Sequence, residues 1–442
     1  MTLKFSKMMH HIRLLVAVPL FLALATAAFA HPQIPGAPQL KPVALTNATI
    51  HPVSGPAIEK GTLVFDGGKI TALGKDAAPP AGAEIIDLAG KHVYPGLFEP
   101  WTDVGLIEIN SIRATIDFQE TGQLNPNVRA VVAVNPDSEI IPVTRSNGVL
   151  LTLAAPYGGL LSGRSGVIQL DGWTWEDMTL KADVGLHIQW PQAAGSGRGG
   201  RGGSAEVAPG TERGVEAMRQ ALADARAYGV VRKADEKFPR DARWESLQDV
   251  LAGELPIIVQ ADDVRQINAA VAFAQREKLK LIIAGGYDAP QCATLLKKHD
   301  IPVIVGGTYR LPRRRSDAYD AAYAVPAELH KAGIRFCIAA RNRFGANAVR
   351  NLPYHAAAAV GFGLPADEAL KSITLYPAQI LGVANRVGSL ESGKDATLFV
   401  CDGDPLDTPT QITAAWVRGR KVDLNDRHKT LYRKYEEKYQ QQ

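Results

Sequence analysis

The sequence predicts an α/β protein in which repeated strand and helix units form a barrel that carries a small β domain. From Tyr94 onward, short runs that are apolar throughout alternate with stretches of helical periodicity, such as "VRQINAAVAFAQREK". Runs of this kind are typical of parallel strands buried on both faces. Both ends of the chain instead show shorter β-rich pieces separated by turns. The apolar runs are residues 148–155, 255–261, 279–286, 301–307 and 334–340.

The two β-rich ends are predicted to pair into one small sandwich beside the barrel. In the N-terminal part, "DGG" at Asp66 to Gly68 stands between two alternating runs and indicates a hairpin. The β pattern returns near Gly388, and the last residues, "RHKTLYRKYEEKYQQQ", predict a polar helix. The predicted parts are β domain 31–93 and 386–424, barrel 94–385 and C-terminal helix 425–442.

Residues 1–30 have the pattern of a cleavable signal peptide. Lys4, Lys7 and Arg13 precede an apolar run over 14–29, and "AFA" places small residues before a cut after Ala30. The run is shorter than the roughly 20 apolar residues that a membrane anchor needs. We therefore expect a periplasmic or secreted protein that leaves the membrane after cleavage.

Charge gives little indication of a partner. The net charge is +4, from 49 basic and 45 acidic side chains, which does not indicate a nucleic-acid partner. The Gly- and Arg-rich stretch 192–210 interrupts the barrel pattern and is predicted to be a flexible loop. A second basic stretch, 309–319, follows the seventh predicted strand, where either an anion site or a solvated loop fits.

Motifs at both ends of the chain resemble the amidohydrolase superfamily, in its imidazolonepropionase-like and exported dipeptidase-like branches. They are "GTLVFDGGKITALG", "GKHVYPGLFEP" and, near the C-terminus, "GSLESGKDATLFVCDGDPL". The resemblance implies a distorted (β/α)₈ barrel with a one- or two-metal site, plus a β-sandwich built from the N- and C-terminal segments. Such a site uses imidazoles and a carboxylate to bind a divalent metal that activates water.

The residues at the expected ligand positions do not suit a metal. The resemblance places the first-strand histidine pair at Trp101 and Asp103, the fifth-strand histidine at Gln260, the sixth at Gly285 and the eighth-strand aspartate at Arg341. A guanidinium does not ligate metal, and the side chains of Trp and Gly offer no ligand atom. None of the histidines after residue 30 falls at a strand end in the predicted repeat. We therefore predict no metal, no cofactor and no catalytic residue.

The favoured hypothesis is an exported pseudoenzyme that binds a small-molecule ligand, a zwitterion or peptide, or that pairs with a catalytic homologue or another copy of itself. The pocket lining would come from strand ends at one barrel mouth. The alternative is a divergent hydrolase of C–N bonds with an altered metal site, holding Zn or a harder cation through Asp103, Asp262, Asp263 and Asp288, or with no metal. A purely structural subunit with the pocket closed by Trp101 is a third hypothesis. The predicted lining is Glu99, Trp101, Asp103, Gln260, Asp262, Arg341 and Asn342.

Overall fold

The computed structural model describes residues 32–191, 211–341 and 345–441. The predicted signal peptide, the Gly/Arg loop 192–210 and Asn342 lie outside these ranges. The strands are β1 (Val43–Ile50), β2 (Ile58–Asp66), β3 (Lys69–Gly74), β4 (Glu84–Asp87), β5 (His92–Pro95), β6 (Leu97–Thr102), β7 (Val149–Ala154), β8 (Leu161–Gln169), β9 (Thr179–Gln189), β10 (Ile257–Ala261), β11 (Leu281–Gly285), β12 (Val303–Gly306), β13 (Phe336–Ala339), β14 (Leu398–Cys401), β15 (Ile412–Val417) and β16 (Arg420–Lys421).

Helices fill most of the connections between the later barrel strands. Short 3₁₀ helices within the described part of the chain are Arg113–Thr115, Ala130–Ala133, Ala289–Cys292 and Gly345–Asn351. The α-helices in the described ranges are Ile140–Arg145, Trp175–Met178, Thr211–Ala234, Ala242–Glu245, Gln248–Leu251, Val264–Glu277, Ala293–Lys298, Ala321–Ala332, Leu352–Gly361, Ala366–Ser372, Leu375–Ile380 and Arg427–Gln440. None of the helices in the described ranges combines the length and apolar character needed to cross a membrane.

Strands β6 to β13 form the barrel sheet, which confirms the predicted distorted barrel. Neighbours follow chain order from β6 to β13, and β9 to β13 are all parallel. The distortion lies in β8, which runs antiparallel to both β7 and β9. Only short connections are therefore needed on either side of β8, whereas the parallel strands that follow require helical crossovers.

The barrel interior is lined by side chains from alternate positions of these strands. Ile258, Ile282, Ile304 and Cys337 pack together in one apolar cluster inside the sheet. Their neighbours in the same strands belong to a separate cluster formed with the surrounding helices. The two-residue period of a strand explains this division. It also fixes which polar side chains near the strand ends face the barrel mouth.

The β domain draws its strands from both ends of the chain, as predicted. Strands β16, β15, β14, β5, β1, β2 and β3 follow one another in a single sheet, with β4 paired to β1. Strand β14 joins β5 in antiparallel register, with Phe399 opposite Tyr94. A buried carboxylate, Asp395, accepts hydrogen bonds from Lys69 on β3 and from Arg386, which follows the last barrel helix. These contacts tie the N-terminal strands to the C-terminal segment.

Candidate active-site region at the barrel mouth

Glu99 occupies the seam between the two edge strands of the barrel sheet. Its side chain is fully buried on β6. One carboxyl oxygen accepts the Trp101 N–H at 3.1 Å and the other accepts the Ala340 N–H, just beyond β13, at 2.7 Å. The carboxyl group therefore links β6 to the segment that follows β13. Burial raises the pKa of Glu99 to about 8, an effect that the two backbone bonds and Arg341 offset only in part.

The raised pKa of Glu99 predicts a specific pH dependence of stability. The folded protein holds this proton up to about pH 8, while the unfolded chain releases it near 4.5, so the Glu99 contribution to stability falls as pH rises between these values. Relative to Glu99→Gln, the wild type should lose up to about 1.4 kcal/mol per pH unit between pH 6.5 and 8. Urea unfolding of both proteins over this range measures the difference. Parallel curves for the two proteins would contradict the expectation.

Trp101, Asp103 and Arg341 come together beside this seam. The Arg341 guanidinium carbon lies 4.4 Å from the centroid of the Trp101 ring and 5.4 Å from that of Tyr157. Asp103 is largely buried, and its Oδ1 has no hydrogen-bond partner among the described residues. The Cβ of any side chain at Gly345 would lie 3.1 Å from Asp103 Oδ2, so the backbone after Arg341 passes close to this carboxylate.

Asp262 lies at the mouth but is already bound by two arginines. Arg310 donates to both carboxylate oxygens, at 3.2 and 3.0 Å, and Arg313 lies 3.2 Å from Oδ2. Burial alone would raise the pKa of Asp262, but the two guanidinium groups hold it below its ordinary value. Ion pairs with Asp262 therefore hold the basic stretch 309–319 against the barrel. The sequence did not indicate that these arginines would pair with Asp262.

The remaining carboxylates proposed for a hard cation are also engaged. Asp263 caps the helix Val264–Glu277, accepting the Gln266 N–H in a capping box. Asp288 is buried and paired with Arg314. Of the four predicted cation ligands, Asp103 is the one with a fully buried oxygen that lacks a partner among the described residues.

Gly285 leaves no room for the histidine that a sixth-strand ligand would require. Its φ is +104°, a region that side chains rarely adopt. A Cβ at this position would lie 2.8 Å from Asp262 Oδ1 and 3.2 Å from the Ala261 carbonyl oxygen. The carboxylate of Asp262 therefore occupies the direction that a side chain at this position would take.

Replacement of Gly285 with alanine should lower the free energy of unfolding by about 2 kcal/mol, because it adds backbone strain and displaces Asp262. Gly253→Ala is a matched control, since its φ is +73° but no atom lies within 4 Å of the added Cβ. It should cost about 1 kcal/mol, the strain alone. Chemical denaturation compares the two. Equal losses would show that the contact with Asp262 is relieved without cost.

His187 corrects the prediction that no histidine stands at a strand end. It lies on β9, opposite Ile258, so its ring shares the interior face of the barrel. The residue is almost fully buried, and its Nε2 has no partner among the described residues. Burial, with a smaller effect of Arg341, lowers its pKa to about 3. Sequence reasoning missed β9 because its first half carries Lys181 and Asp183 rather than an apolar run.

Gln260 and Gln189 occupy the next layer of the same face. They lie opposite each other in the β9–β10 pairing, two residues beyond His187 and Ile258. The Gln189 Nε2 also has no partner among the described residues. The other buried histidine, His355, accepts the Thr308 N–H at its Nδ1 at 3.0 Å, and its Nε2 also has no partner among the described residues.

Comparison with known proteins gives a consistent assignment. The sequence model of the Amidohydrolase family matches residues 212–424. An amidohydrolase from Thermotoga maritima has a similar solved structure, with 25% identity and a TM-score of 0.77 over 86% of this chain and 99% of that one. An imidazolonepropionase from Mesorhizobium japonicum is 23% identical over 85% of this chain and 92% of its own length.

The chain belongs to the amidohydrolase superfamily. A further superfamily relative, the amidohydrolase tasK of Hapsidospora irregularis, is 24% identical over 82% of this chain. The chain spans 39% of the length of that protein.

The described residues of this amidohydrolase-superfamily barrel do not fit the metal that the superfamily implies. Within 32–191, 211–341 and 345–441, no group of three or more His, Cys, Asp or Glu side chains is placed to hold a metal ion. At the mouth, His187 is the interior imidazole, Gly285 has no space for a side chain, and Arg341 brings a cation to the eighth strand. Among the described residues at these positions, the donors are therefore the His187 imidazole and the Asp103 carboxylate, fewer than a zinc site requires.

Proposed function

We propose that this protein is an exported, non-catalytic member of the superfamily whose barrel mouth binds a small-molecule or peptide ligand. It acts alone, as a homo-oligomer or beside a catalytic homologue. Export is supported by the pattern of residues 1–30. The observation that carries the proposal is the ion pair of Asp262 with Arg310 and Arg313, because it fills the space beside Gly285 where a ligand histidine would stand.

The charge at the mouth supports the same proposal. Metal-dependent hydrolases of this superfamily gather neutral imidazoles and carboxylates around a cation. Here the permanent cations are guanidinium groups, which neither ligate metal nor lower the pKa of a water molecule as a metal does. A barrel that keeps its fold and replaces its ligands in this manner is suited to binding rather than to hydrolysis.

The second candidate is a divergent hydrolase of C–N bonds, and one observation favours it. Asp103 Oδ1 is buried beside Glu99 and has no hydrogen-bond partner among the described residues. Such an oxygen could accept a proton from water or from a substrate. Arg341 would then stabilise developing negative charge on a carbonyl oxygen. This candidate predicts activity that disappears in Asp103→Asn.

The deciding experiment is elemental analysis of the mature protein, purified from an exporting bacterial host without chelator, together with turnover of dipeptides and cyclic amides. We expect no stoichiometric metal and no turnover. Near-stoichiometric Zn, Fe or Mn with turnover would refute the non-catalytic proposal, and metal-free turnover lost in Asp103→Asn would establish the second candidate.

A further inference from the structure

Arg341 differs from Arg310, Arg313 and Arg314 in having no anionic partner among the residues that the structure describes. Arg310, Arg313 and Arg314 each pair with an aspartate. The Arg341 guanidinium instead lies against Trp101 and Tyr157, and no ion pair or hydrogen bond joins its side chain to another described residue. Stacking holds the plane of a guanidinium while its N–H edge stays available for a planar anion.

The carboxyl groups of Glu99 and Asp103 lie in the same region as Arg341, but no ion pair joins either of them to its side chain among the described residues. Both Glu99 oxygens accept backbone N–H bonds, and with a pKa near 8 the group is protonated at neutral pH. Asp262, the carboxylate at the end of β10, is shared by Arg310 and Arg313. Within the described part of the mouth, Arg341 therefore has a guanidinium group that takes part in no ion pair.

Unpartnered polar atoms on the interior face near Arg341 give a second, independent indication of a ligand. His187 is 6% exposed, faces the barrel interior and is close enough to Arg341 for its charge to lower the imidazole pKa further. Its Nε2 has no partner in the described chain, and neither does the amide nitrogen of Gln189, two residues farther along the same face. Buried polar atoms in folded proteins are otherwise nearly always hydrogen-bonded. A polar ligand bound beside the Arg341 guanidinium would supply hydrogen-bond partners for both of these atoms.

We infer that the barrel mouth binds an organic carboxylate, paired with the Arg341 guanidinium over the Trp101 ring, whose other polar atoms meet His187 and Gln189. This inference rests on the proposed binding function and specifies its ligand class. A carboxylate matches the planar, two-pronged edge of a guanidinium. The aromatic side chains favour a ligand with apolar or planar surface next to that carboxylate.

The test is isothermal titration calorimetry on the full mature chain with pairs of probes that differ in one charge. Benzoate is compared with benzamide, glycylglycine with glycylglycinamide, and inorganic phosphate is titrated separately. We expect the carboxylates to bind at least tenfold more tightly than the amides. Equal binding within each pair, or no binding of either carboxylate at millimolar concentration, would overturn the inference. Phosphate binding as tight as that of the carboxylates would overturn the assignment to a carboxylate.

Variants separate Arg341 from general charge effects. Arg341→Gln should weaken carboxylate binding at least tenfold, and Arg341→Lys should retain only part of it because an ammonium lacks the planar edge. Arg240→Gln is the matched control, since Arg240 is exposed and pairs with Glu245, and it should bind as the wild type does. Unchanged binding in Arg341→Gln, in a protein whose Tm is unaltered, would refute the role of Arg341.

The two proposals fail in different ways. Bound metal with turnover would refute the non-catalytic function whatever the carboxylate titrations give. A metal-free, inactive protein that shows no preference for carboxylates would refute this inference and leave the proposed function standing.

Discussion

Replacement of Asp395 with alanine should lower the free energy of unfolding by about 3–5 kcal/mol, because it removes three hydrogen bonds from the charged groups of Lys69 and Arg386 to a buried carboxylate. The Asp395 side chain is almost fully buried. It lies 2.5 Å from the Lys69 Nζ, and Arg386 donates to its other oxygen at 2.7 and 3.1 Å. Arg386 also donates to the Leu180 carbonyl oxygen on the barrel strand β9, so one carboxylate organises the contact of both β segments with the barrel.

The loss should appear in chemical denaturation at pH 7 as a lower midpoint with an unchanged slope. Asp367→Ala provides the control, since this aspartate also pairs with a lysine, Lys371, but its side chain is 69% exposed. Exposed pairs of this kind contribute up to about 1 kcal/mol. A loss in Asp395→Ala no larger than in the control would mean that Lys69 and Arg386 find other partners.

The sequence predicted those strands whose burial produces a simple pattern of apolar residues. Strands β10 to β13 are buried on both faces, so each appears in the sequence as an apolar run. Strand β8 is also fully buried, yet it contains Arg164, Ser165 and Gln169, whose polar groups are accommodated by specific partners. A sequence pattern does not show such partners, and for this reason the antiparallel part of the barrel was not predicted.

The part of the candidate site that could be predicted is the part that follows from matching this sequence to the ligand positions of the superfamily. This match placed Trp101 and Arg341 at two of the ligand positions, and in the structure their side chains are in contact. It gave no indication that Asp262 would be bound by Arg310, 48 residues away, because the length of the intervening chain does not encode which charges meet. Gly285 shows the same limit: in the sequence it is a lost histidine, whereas in the fold its positive φ and the nearby carboxylate make any side chain there unfavourable.

Replacement of Asp262 with alanine should lower the free energy of unfolding by about 2–4 kcal/mol and release the segment 309–319 from the barrel. Asp262 is the shared partner of Arg310 and Arg313, and its Oδ1 also accepts the Tyr287 N–H at 3.3 Å. Removal of the carboxylate leaves two partly buried guanidinium groups without an anion. The resulting loss of stability is larger than the net stabilisation that the intact ion pair provides. The effect is smaller than for Asp395 because the Asp262 side chain is 24% exposed and water can replace part of the lost contact.

Trypsin reports the release directly, since the segment contains consecutive arginines at 313–315. In native buffer, Asp262→Ala should be cut there faster than the wild type, because proteolysis follows the population of the open segment. Asp300→Ala is the control: it also removes an aspartate from an arginine, Arg335, but Asp300 is 82% exposed. Equal cleavage rates in the wild type and Asp262→Ala would mean that the segment is held by its other contacts, such as the bond from the Tyr309 hydroxyl to the Tyr354 carbonyl. The ion pairs of Asp262 beside Gly285 would then contribute little to holding this segment against the barrel.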